Sequence, residues 1–283
     1  MPKEGYDMDI YEIRKINEHL ILLGERIAND TIFVMTLVVG KEKAALIDTG
    51  IGIAGDLDQK IRELTNLPII VLNTHGDADH VGGNGLFGEC HISPADLKDM
   101  KEGLKREVRL NNMPAMSRYN PKITEFAMSH MAEEKELIIH DLKDMDIIQL
   151  GGVNLEVIQV PGHSPGSLCF VDWDNEYIIT GDAICPIPWL WQERCTHIAE
   201  YQKALIRFRE KAGHIKTMYY GHSLYPMPHD IVSHLIEACQ ELLDGNTQED
   251  ACYDPRLGWN MAGKYVCSHN YKYGAIIYDK NKL

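Results

Sequence analysis

Two histidines and two aspartates fall within six positions of the chain, at His75, Asp77, Asp79 and His80. Two carboxylates this close repel each other unless a cation is present, and one or two divalent ions would remove that repulsion. On a helix, positions two apart point in different directions, so convergence on one point favours a tight loop. We therefore predict a metal-binding loop. The alternative is a polar turn that happens to contain histidines.

Three further ligand-type residues follow β-like runs later in the chain. They are His163, Asp182 and His222, and each has small residues around it. Taken alone, each is more typical of a turn or a helix cap. Together with the first loop, they predict a larger ligand set gathered from several strand ends.

The elements that must position these residues alternate between strand-like and helix-like patterns. The predicted strands are Ile32–Val39, Lys43–Ile47, Pro68–Leu72, 153–160, Tyr177–Thr180 and Thr217–Tyr220, and 271–278 is predicted as a late strand. The predicted helices are Ala54–Leu64, Ile198–Arg209 and His229–Leu243, where apolar residues recur at helical spacing. This order is typical of an α/β protein, which builds its site at the carboxyl ends of strands.

The ordered set of motifs resembles the metallo-β-lactamase-fold superfamily. The motifs are Asp48-Thr49-Gly50, the loop from His75 to His80, His163, Asp182 and His222, and the resemblance runs from about residue 10 to residue 245. It implies an α/β, four-layer αββα sandwich of two similar halves. We accordingly expect a single domain over residues 1–283.

The resemblance also implies which residues hold metal. In the family's arrangement, the first ion would bind His75, Asp77 and His163, and the second would bind Asp79, His80 and His222. Asp182 would bridge the two ions, and Asp48 would support the ligands without being one.

One ligand position departs from the family's usual loop, which reads His-x-His-x-Asp-His. Asp77 stands where the second histidine is usual. A carboxylate oxygen is a harder donor than an imidazole and shifts metal preference toward manganese or iron. Two divalent ions are expected, zinc first, with manganese or iron as alternatives. The related flavodiiron proteins bind iron with a glutamate here, but they need a flavin domain, and only 61 residues follow His222.

The chemistry implied by the resemblance is hydrolysis. A hydroxide bridging two ions would attack a small ester, thioester, lactone or phosphoester, and Asp79 would pass the proton toward the leaving group. Tyr225 and Trp189 are substrate-binding candidates, although ordinary packing explains either one. One alternative is a diiron redox protein that reduces oxygen or nitric oxide with a separate flavoprotein partner, and another is a metal-stabilised binding module.

The amino-acid composition limits the kinds of partner that the protein is expected to bind. The 42 acidic residues exceed the 28 basic ones and give a formal charge of −14, which argues against a nucleic-acid or anionic-membrane binder. The expected partner is a small molecule, an anionic one included, and a homo-oligomer is left open. Seven cysteines without a CxxC motif, and no signal-like N-terminus, predict free thiols in a cytoplasmic protein.

Two stretches fall outside the strand–helix alternation. Residues 95–136 are predicted as a helical, lid-like insertion, and residues 251–283 as a tyrosine-rich C-terminal extension. The insertion carries seven basic and three acidic residues between Lys98 and Lys122. That excess would suit a lid that attracts an anionic substrate. The favoured interpretation is a solvated helix face with pairs such as Glu102–Arg106.

Overall fold

The computed structural model describes residues 10–253 and 266–283. It divides into two compact units. The first takes in the described part of Met1–Leu142 with Ile148–Asn154 and Gly221–Leu224. The second takes in Lys143–Ile147, Leu155–Tyr220 and the described part of Tyr225–Leu283. Across the described ranges, the helices are too short or too polar to cross a bilayer.

Strands and helices are interspersed along the described part of the chain. The strands are β1 Tyr11–Lys15, β2 Leu20–Ala28, β3 Thr31–Val39, β4 Ala44–Ile47, β5 Ile69–Leu72, β6 Glu89–Ile92, β7 Ile138–Asp141, β8 Ile147–Gln149, β9 Asn154–Gln159, β10 Leu168–Asp172, β11 Tyr177–Ile179, β12 Trp189–Leu190, β13 Thr217–Tyr219, β14 Ala251–Tyr253, β15 Val266–Tyr271 and β16 Gly274–Asp279. The α-helices are α1 Leu57–Leu64, α2 Ala78–Val81, α3 Leu97–Gly103, α4 Arg106–Met116, α5 Pro121–His130, α6 Ile198–Ala212 and α7 Ile231–Leu243.

The first unit is built on a seven-stranded sheet whose strands lie in chain order, β1 to β7. β1 to β4 are antiparallel, and β4 to β7 are parallel. α1 connects β4 to β5, as a parallel pair requires a crossover. β3 is buried along nearly its whole length, consistent with its continuous apolar sequence. The parallel part brings the carboxyl ends of β4 and β5 side by side.

A second sheet has five strands in the order β13-β11-β10-β9-β8, and a smaller sheet has the order β12-β16-β15-β14. β13 is parallel to β11, with α6 in the crossover between them. The apolar faces of α6 and α7 are buried in one cluster with β10 and β11. This packing fixes the loops that follow β9 and β11, where His163 and Asp182 lie.

Most predicted elements are confirmed, with shifted ends. The helix expected from Ala54 begins at Leu57, and the helix expected from His229 begins at Ile231. The prediction of one late strand over 271–278 is wrong, because β15 ends at Tyr271 and β16 begins at Gly274, as two arms of a hairpin. β2, an apolar run interrupted by Glu25, was not anticipated.

The cysteine prediction is wrong for two of the seven residues. Cys252 and Cys267 form a disulfide between paired positions of β14 and β15. The absence of a CxxC motif carried no information here, because antiparallel register brings cysteines together from distant positions. The other five cysteines are free and buried. Within the C-terminal extension, Trp259 and Tyr265 lie outside the described residues.

The stretch predicted as an insertion contains three helices, α3 to α5. Its charges are arranged differently from the expected solvated face. Glu102 pairs with Lys105 rather than with Arg106, which pairs with Glu133. Arg109 is fully buried. A lid-like role for this stretch stays a prediction, as does the single-domain organisation.

Candidate metal centre

The ends of β4 and β5 bring Asp48 beside the first ligand loop, residues 74–80. The Asp48 amide donates to the carbonyl of Leu72, the last residue of β5, at 2.8 Å. Asp48 itself has a φ of 61°, a left-handed conformation that is uncommon outside glycine. Such strain persists only where its surroundings impose it, and it is concentrated at functional sites. Here it turns the buried carboxylate toward the loop.

The Asp48 carboxylate collects three donors from that loop. Its Oδ1 accepts from the Thr74 amide at 2.8 Å, and its Oδ2 accepts from the Thr74 hydroxyl at 2.7 Å. The same Oδ2 lies 2.8 Å from Nδ1 of His80. Since a carboxylate only accepts, His80 carries its proton on Nδ1 and presents Nε2 as the acceptor.

His75 has the same orientation by way of Thr74. Its Nδ1 lies 3.0 Å from the Thr74 hydroxyl oxygen. Because that hydroxyl gives its one proton to Asp48, it accepts from His75 Nδ1–H. The imidazoles of His75 and His80 are 4.1 Å apart between ring centroids. The Asp48–Thr74 pair therefore orients two candidate ligands at once.

Asp79 and His80 belong to α2, a single helical turn that begins at Ala78. The prediction of a loop that runs through to His80 is therefore correct only as far as Asp77, the residue before this turn. The main-chain oxygen of His80 accepts from the Thr49 amide at 2.8 Å and from Asn73 Nδ2 at 3.3 Å. These bonds hold the turn from its carbonyl side and leave the side chains to face the candidate site.

His222 joins this group although it lies far along the chain. The Gly221 carbonyl accepts from the Val34 amide at 2.7 Å, and His222 Nδ1 lies 3.2 Å from the carbonyl oxygen of Ile32. Ligand atoms of Asp79, His80 and His222 all lie within 4.8 Å of one another. Asp79 Oδ2 is 3.8 Å from His80 Nε2 and 3.9 Å from His222 Nε2.

In the second unit, His163 and Asp182 follow β9 and β11. His163 Nδ1 lies 2.9 Å from the carbonyl oxygen of Trp189, so Nε2 is again the acceptor. The preceding Gly162 is required by close approach, because a Cβ at that position would overlap the Tyr201 ring. Asp182 is partly buried in the turn after β11.

Each of the four histidines has the protonation pattern of a metal-binding histidine. Each has an oxygen at Nδ1, from a side chain for His75 and His80 and from the main chain for His163 and His222. Each therefore presents Nε2 as an electron-pair donor. Metal-binding histidines are fixed in this way by an oxygen at their other nitrogen. Nearby carboxylates supply the negative charge that a dication would offset.

The structure says less about the roles of three other predicted site residues, Asp77, Tyr225 and Trp189. The Asp77 carboxylate lies 3.4 Å from His75 Nε2, outside the group formed by Asp79, His80 and His222. Tyr225 is 67% exposed and Trp189 is 39% exposed. Exposed aromatic side chains are available to a substrate, but their role stays a prediction.

Sequence reasoning missed Glu25, which supports the segment after Asp48. Its carboxylate accepts from the amides of Ile51, Gly52 and Ile53 at 2.7, 3.2 and 3.0 Å. Burial raises the pKa of Glu25 to about 7, against the opposing effect of these hydrogen bonds. The available signal was a single acid within the apolar run of β2.

Arg109 was also missed as a structural residue. Its guanidinium donates to the carbonyls of Ile51, Leu104 and Ala132 at 3.0, 3.1 and 2.8 Å. Burial lowers its pKa to about 10, and the Glu25 charge acts in the opposite direction. Arg109 thus ties α4 to the segment that follows Asp48. In the sequence it is one of the seven basic residues between Lys98 and Lys122, and nothing in the sequence distinguishes it from the other six.

Comparison with known proteins identifies hydrolases among the relatives of this chain. Human acyl-coenzyme A thioesterase MBLAC2 is 28% identical over 202 residues, covering 66% of this chain and 71% of the relative. Hydroxyacylglutathione hydrolase GloC of Haemophilus influenzae is 31% identical over 150 residues, covering 51% of this chain and 62% of the relative. The chain therefore spans less than two thirds of GloC.

Solved structures show the same fold at low identity. A metallo-beta-lactamase from Pontibacter korlensis matches with a TM-score of 0.58 and 17% identity, over 81% of this chain and 99% of that structure. This likeness confirms the predicted fold class. The family model of the metallo-beta-lactamase superfamily matches residues 34–247. The chain therefore belongs to the metallo-beta-lactamase superfamily, and this membership implies that it binds divalent metal ions.

Proposed function

We propose that the protein is a dinuclear-metal thioesterase that hydrolyses small acyl thioesters. The coarser prediction, a metal-dependent hydrolase, is confirmed by the family and by the hydrolases among its relatives. Thioester is the substrate class that the names acyl-coenzyme A thioesterase and hydroxyacylglutathione hydrolase share. The observation that carries the proposal is the common orientation of the four histidines, with Nε2 presented beside carboxylates.

The ligand set proposed is the one that the family resemblance assigns. His75, Asp77 and His163 would hold one ion, Asp79, His80 and His222 would hold the other, and Asp182 would be a ligand to both. Zinc is proposed, with manganese or iron as alternatives because of Asp77. When bound, such ions lower the pKa of a coordinated water and polarise a carbonyl oxygen. A cytoplasmic location is proposed with the function.

In the proposed mechanism, the Asp79 carboxylate carries out the proton transfer. Asp79 Oδ2 lies within 4 Å of Nε2 of both His80 and His222. It accepts one proton from the attacking water while the new C–O bond forms at the acyl carbon. The C–S bond then breaks, and Asp79 returns the proton to the leaving sulfur. One thioester and one water thereby give one carboxylic acid and one thiol.

The test replaces Asp79 and His80 and measures thiol release from acetyl-coenzyme A and from a hydroxyacyl glutathione. We expect Asp79→Asn and His80→Ala each to abolish turnover while thermal unfolding remains cooperative. The matched controls are Asp58→Asn on α1 and His91→Ala on β6, which should keep wild-type turnover. Unchanged turnover in Asp79→Asn would exclude the proposed mechanism.

Metal analysis of the same preparation separates the alternatives. Near two equivalents of zinc or manganese with thioester hydrolysis supports the proposal. Stoichiometric iron with consumption of oxygen or nitric oxide would instead support the diiron redox protein. Retained metal with no turnover on either assay would indicate a metal-stabilised binding module.

A further inference from the structure

The ring of His163 is oriented by a segment that lies further along the chain, residues 189–196. Its Nδ1 donates to the carbonyl oxygen of Trp189 at 2.9 Å, because a carbonyl only accepts. The Cys195 thiol donates to the carbonyl oxygens of both His163 and Trp189, at 3.0 and 3.3 Å. These bonds join the ring and the main chain of His163 to the same segment. The position of the 189–196 segment therefore decides how His163 presents its Nε2.

The start of the 189–196 segment is held by a strand near the C-terminal end of the chain. Trp189 and Leu190 form β12, a strand of two residues at the edge of the smaller sheet, where β16 is its neighbour. The amide of Ile277 on β16 donates to the carbonyl of Pro188 at 3.0 Å, and proline has no amide hydrogen to offer in return. Since the two strands run parallel with Trp189 opposite Ile277, β16 sets the path of the main chain at the carbonyl that orients the ring.

The other end of the segment is held by Lys282, which follows β16. Its Nζ donates to the carbonyl oxygens of Gln192, Glu193 and Cys195 at 2.6, 2.6 and 2.8 Å. An ammonium has three hydrogens to donate, and here all three are donated to one short stretch of main chain. Hydrogen bonds from a charged donor are shorter and stronger than neutral ones. The carbonyl of Lys282 accepts from the amide of Ile198, at the start of α6, at 2.9 Å, so the main chain of the lysine is anchored as well.

The C-terminal hairpin, formed by β15 and β16, is itself fixed at its tip. The Tyr271 hydroxyl donates to the carbonyl oxygen of Pro186 at 3.0 Å, and the Tyr273 hydroxyl donates to Asp230 Oδ1, just before α7, at 2.5 Å. Both supports of the segment, β16 and Lys282, lie beyond residue 247, where the match to the family model ends. The orientation of His163 therefore depends on a part of this chain outside the matched region.

We propose that Lys282, together with β16, positions the His163 ring by holding the segment whose Trp189 carbonyl keeps the proton on Nδ1 and leaves Nε2 to bind metal. The proposal rests on the proposed function, in which His163 is a ligand, and it assigns the support of that ligand to the C-terminal part of the chain. Lys282 is a positioning residue, because it acts through the main chain of the segment. His75 and His80 take their orientation from other side chains and should not depend on Lys282.

The direct test observes imidazole tautomers by NMR in full-length, metal-free protein labelled with ¹⁵N-histidine, at a pH where the rings are neutral. Long-range proton–nitrogen correlation spectra distinguish a ring protonated on Nδ1 from one protonated on Nε2, and the His163→Gln variant identifies the His163 signals. In the wild type we expect His163 in the Nδ1–H form. In Lys282→Met its signals should move toward a mixture of both forms, because the segment has lost three hydrogen bonds. The signals of His75 and His80 should stay unchanged.

Two further variants separate positioning from a general effect on the fold. Lys282→Arg keeps a charged donor at the same place and should restore part of the wild-type His163 spectrum. Lys203→Met, an exposed lysine of α6, is the matched control and should leave every histidine signal unchanged. Unchanged His163 signals in Lys282→Met would overturn the proposal. An equal change at all the ligand histidines would overturn it too, since that result indicates a general loss of structure.

The consequence for metal binding is measured by competition with a chelator for zinc. Replacing a residue that directly supports a metal-binding histidine weakens binding by about 10–100-fold. Lys282 acts one step further away, so we expect Lys282→Met to weaken one zinc ion by about three- to tenfold and to leave the other within about twofold. Equal weakening of both ions would overturn the proposal. If zinc leaves the wild-type His163 signals unchanged, the proposed function loses this ligand, whereas a changed tautomer in Lys282→Met would still support the positioning role.

Discussion

The two early histidines of the candidate site and the two later ones are held in different ways. His75 and His80 are oriented by side chains, through Thr74 and Asp48. His163 and His222 are oriented by main-chain carbonyls. Every residue type supplies a carbonyl, whereas only a few supply a carboxylate or a hydroxyl. The first arrangement is therefore vulnerable to single substitutions, and the second depends on the path of the backbone.

The side-chain arrangement extends beyond the ligands themselves. Glu25 holds the amides of residues 51–53, and Arg109 holds the carbonyl of Ile51. Both act on the segment that directly follows the strained Asp48. Three buried charged residues thus support the early histidines. The comparison predicts that removing any of these charges disturbs the first unit more than a change of side chain near the carbonyl anchors.

The largest expected effect is on stability, in Arg109→Met. The substitution keeps much of the side-chain volume but leaves three buried carbonyls without their donor. We expect the free energy of unfolding to fall by about 3 kcal/mol, measured by urea denaturation of the metal-free protein. The matched control is Arg106→Met, also on α4, whose more exposed pairing with Glu133 should be worth less than about 1 kcal/mol. Equal losses would show that Arg109 has no special role.

The next effect is on metal affinity, in Asp48→Asn. An amide has one acceptor oxygen and presents an NH₂ group where Asp48 accepts, so the orientation of His75 and His80 is lost. Substitutions of such supporting residues weaken metal binding by about 10–100-fold, which chelator competition measures. Ile32→Val is the control for a histidine that is oriented by a main-chain carbonyl. It preserves the carbonyl that holds His222, and metal affinity should stay within about twofold.

The same contrast explains what could be predicted from the sequence. Asp48 and the two early histidines are recognisable because their function depends on side-chain type and spacing. The anchors of His163 and His222 leave no trace in the sequence, because Trp189 and Ile32 contribute only carbonyls. Arg109 and Lys282 were missed because each binds main-chain carbonyls of distant segments, and packing alone decides which segments come together. The Cys252–Cys267 disulfide was missed for a similar reason, since strand register brings the two residues together.

The smallest expected effect is the pH dependence that Glu25 contributes to stability. Its pKa is raised by burial from 4.5 to about 7, so between these values the folded state binds more protons than the unfolded state. The stability that goes with the protonated carboxyl is therefore fully present below about pH 4.5 and is lost as the pH rises through 7. The slope cannot exceed about 1.4 kcal/mol per pH unit for one group.

Glu25→Gln should flatten this dependence between about pH 4.5 and 7, because an amide does not titrate. The measurement is the free energy of unfolding of metal-free protein across that range, with Glu63→Gln on α1 as the control. Glu63 is exposed on its helix, and its substitution should leave the slope unchanged. If the slope survives in Glu25→Gln, another group carries it, and the carboxylate that supports residues 51–53 stays ionised throughout.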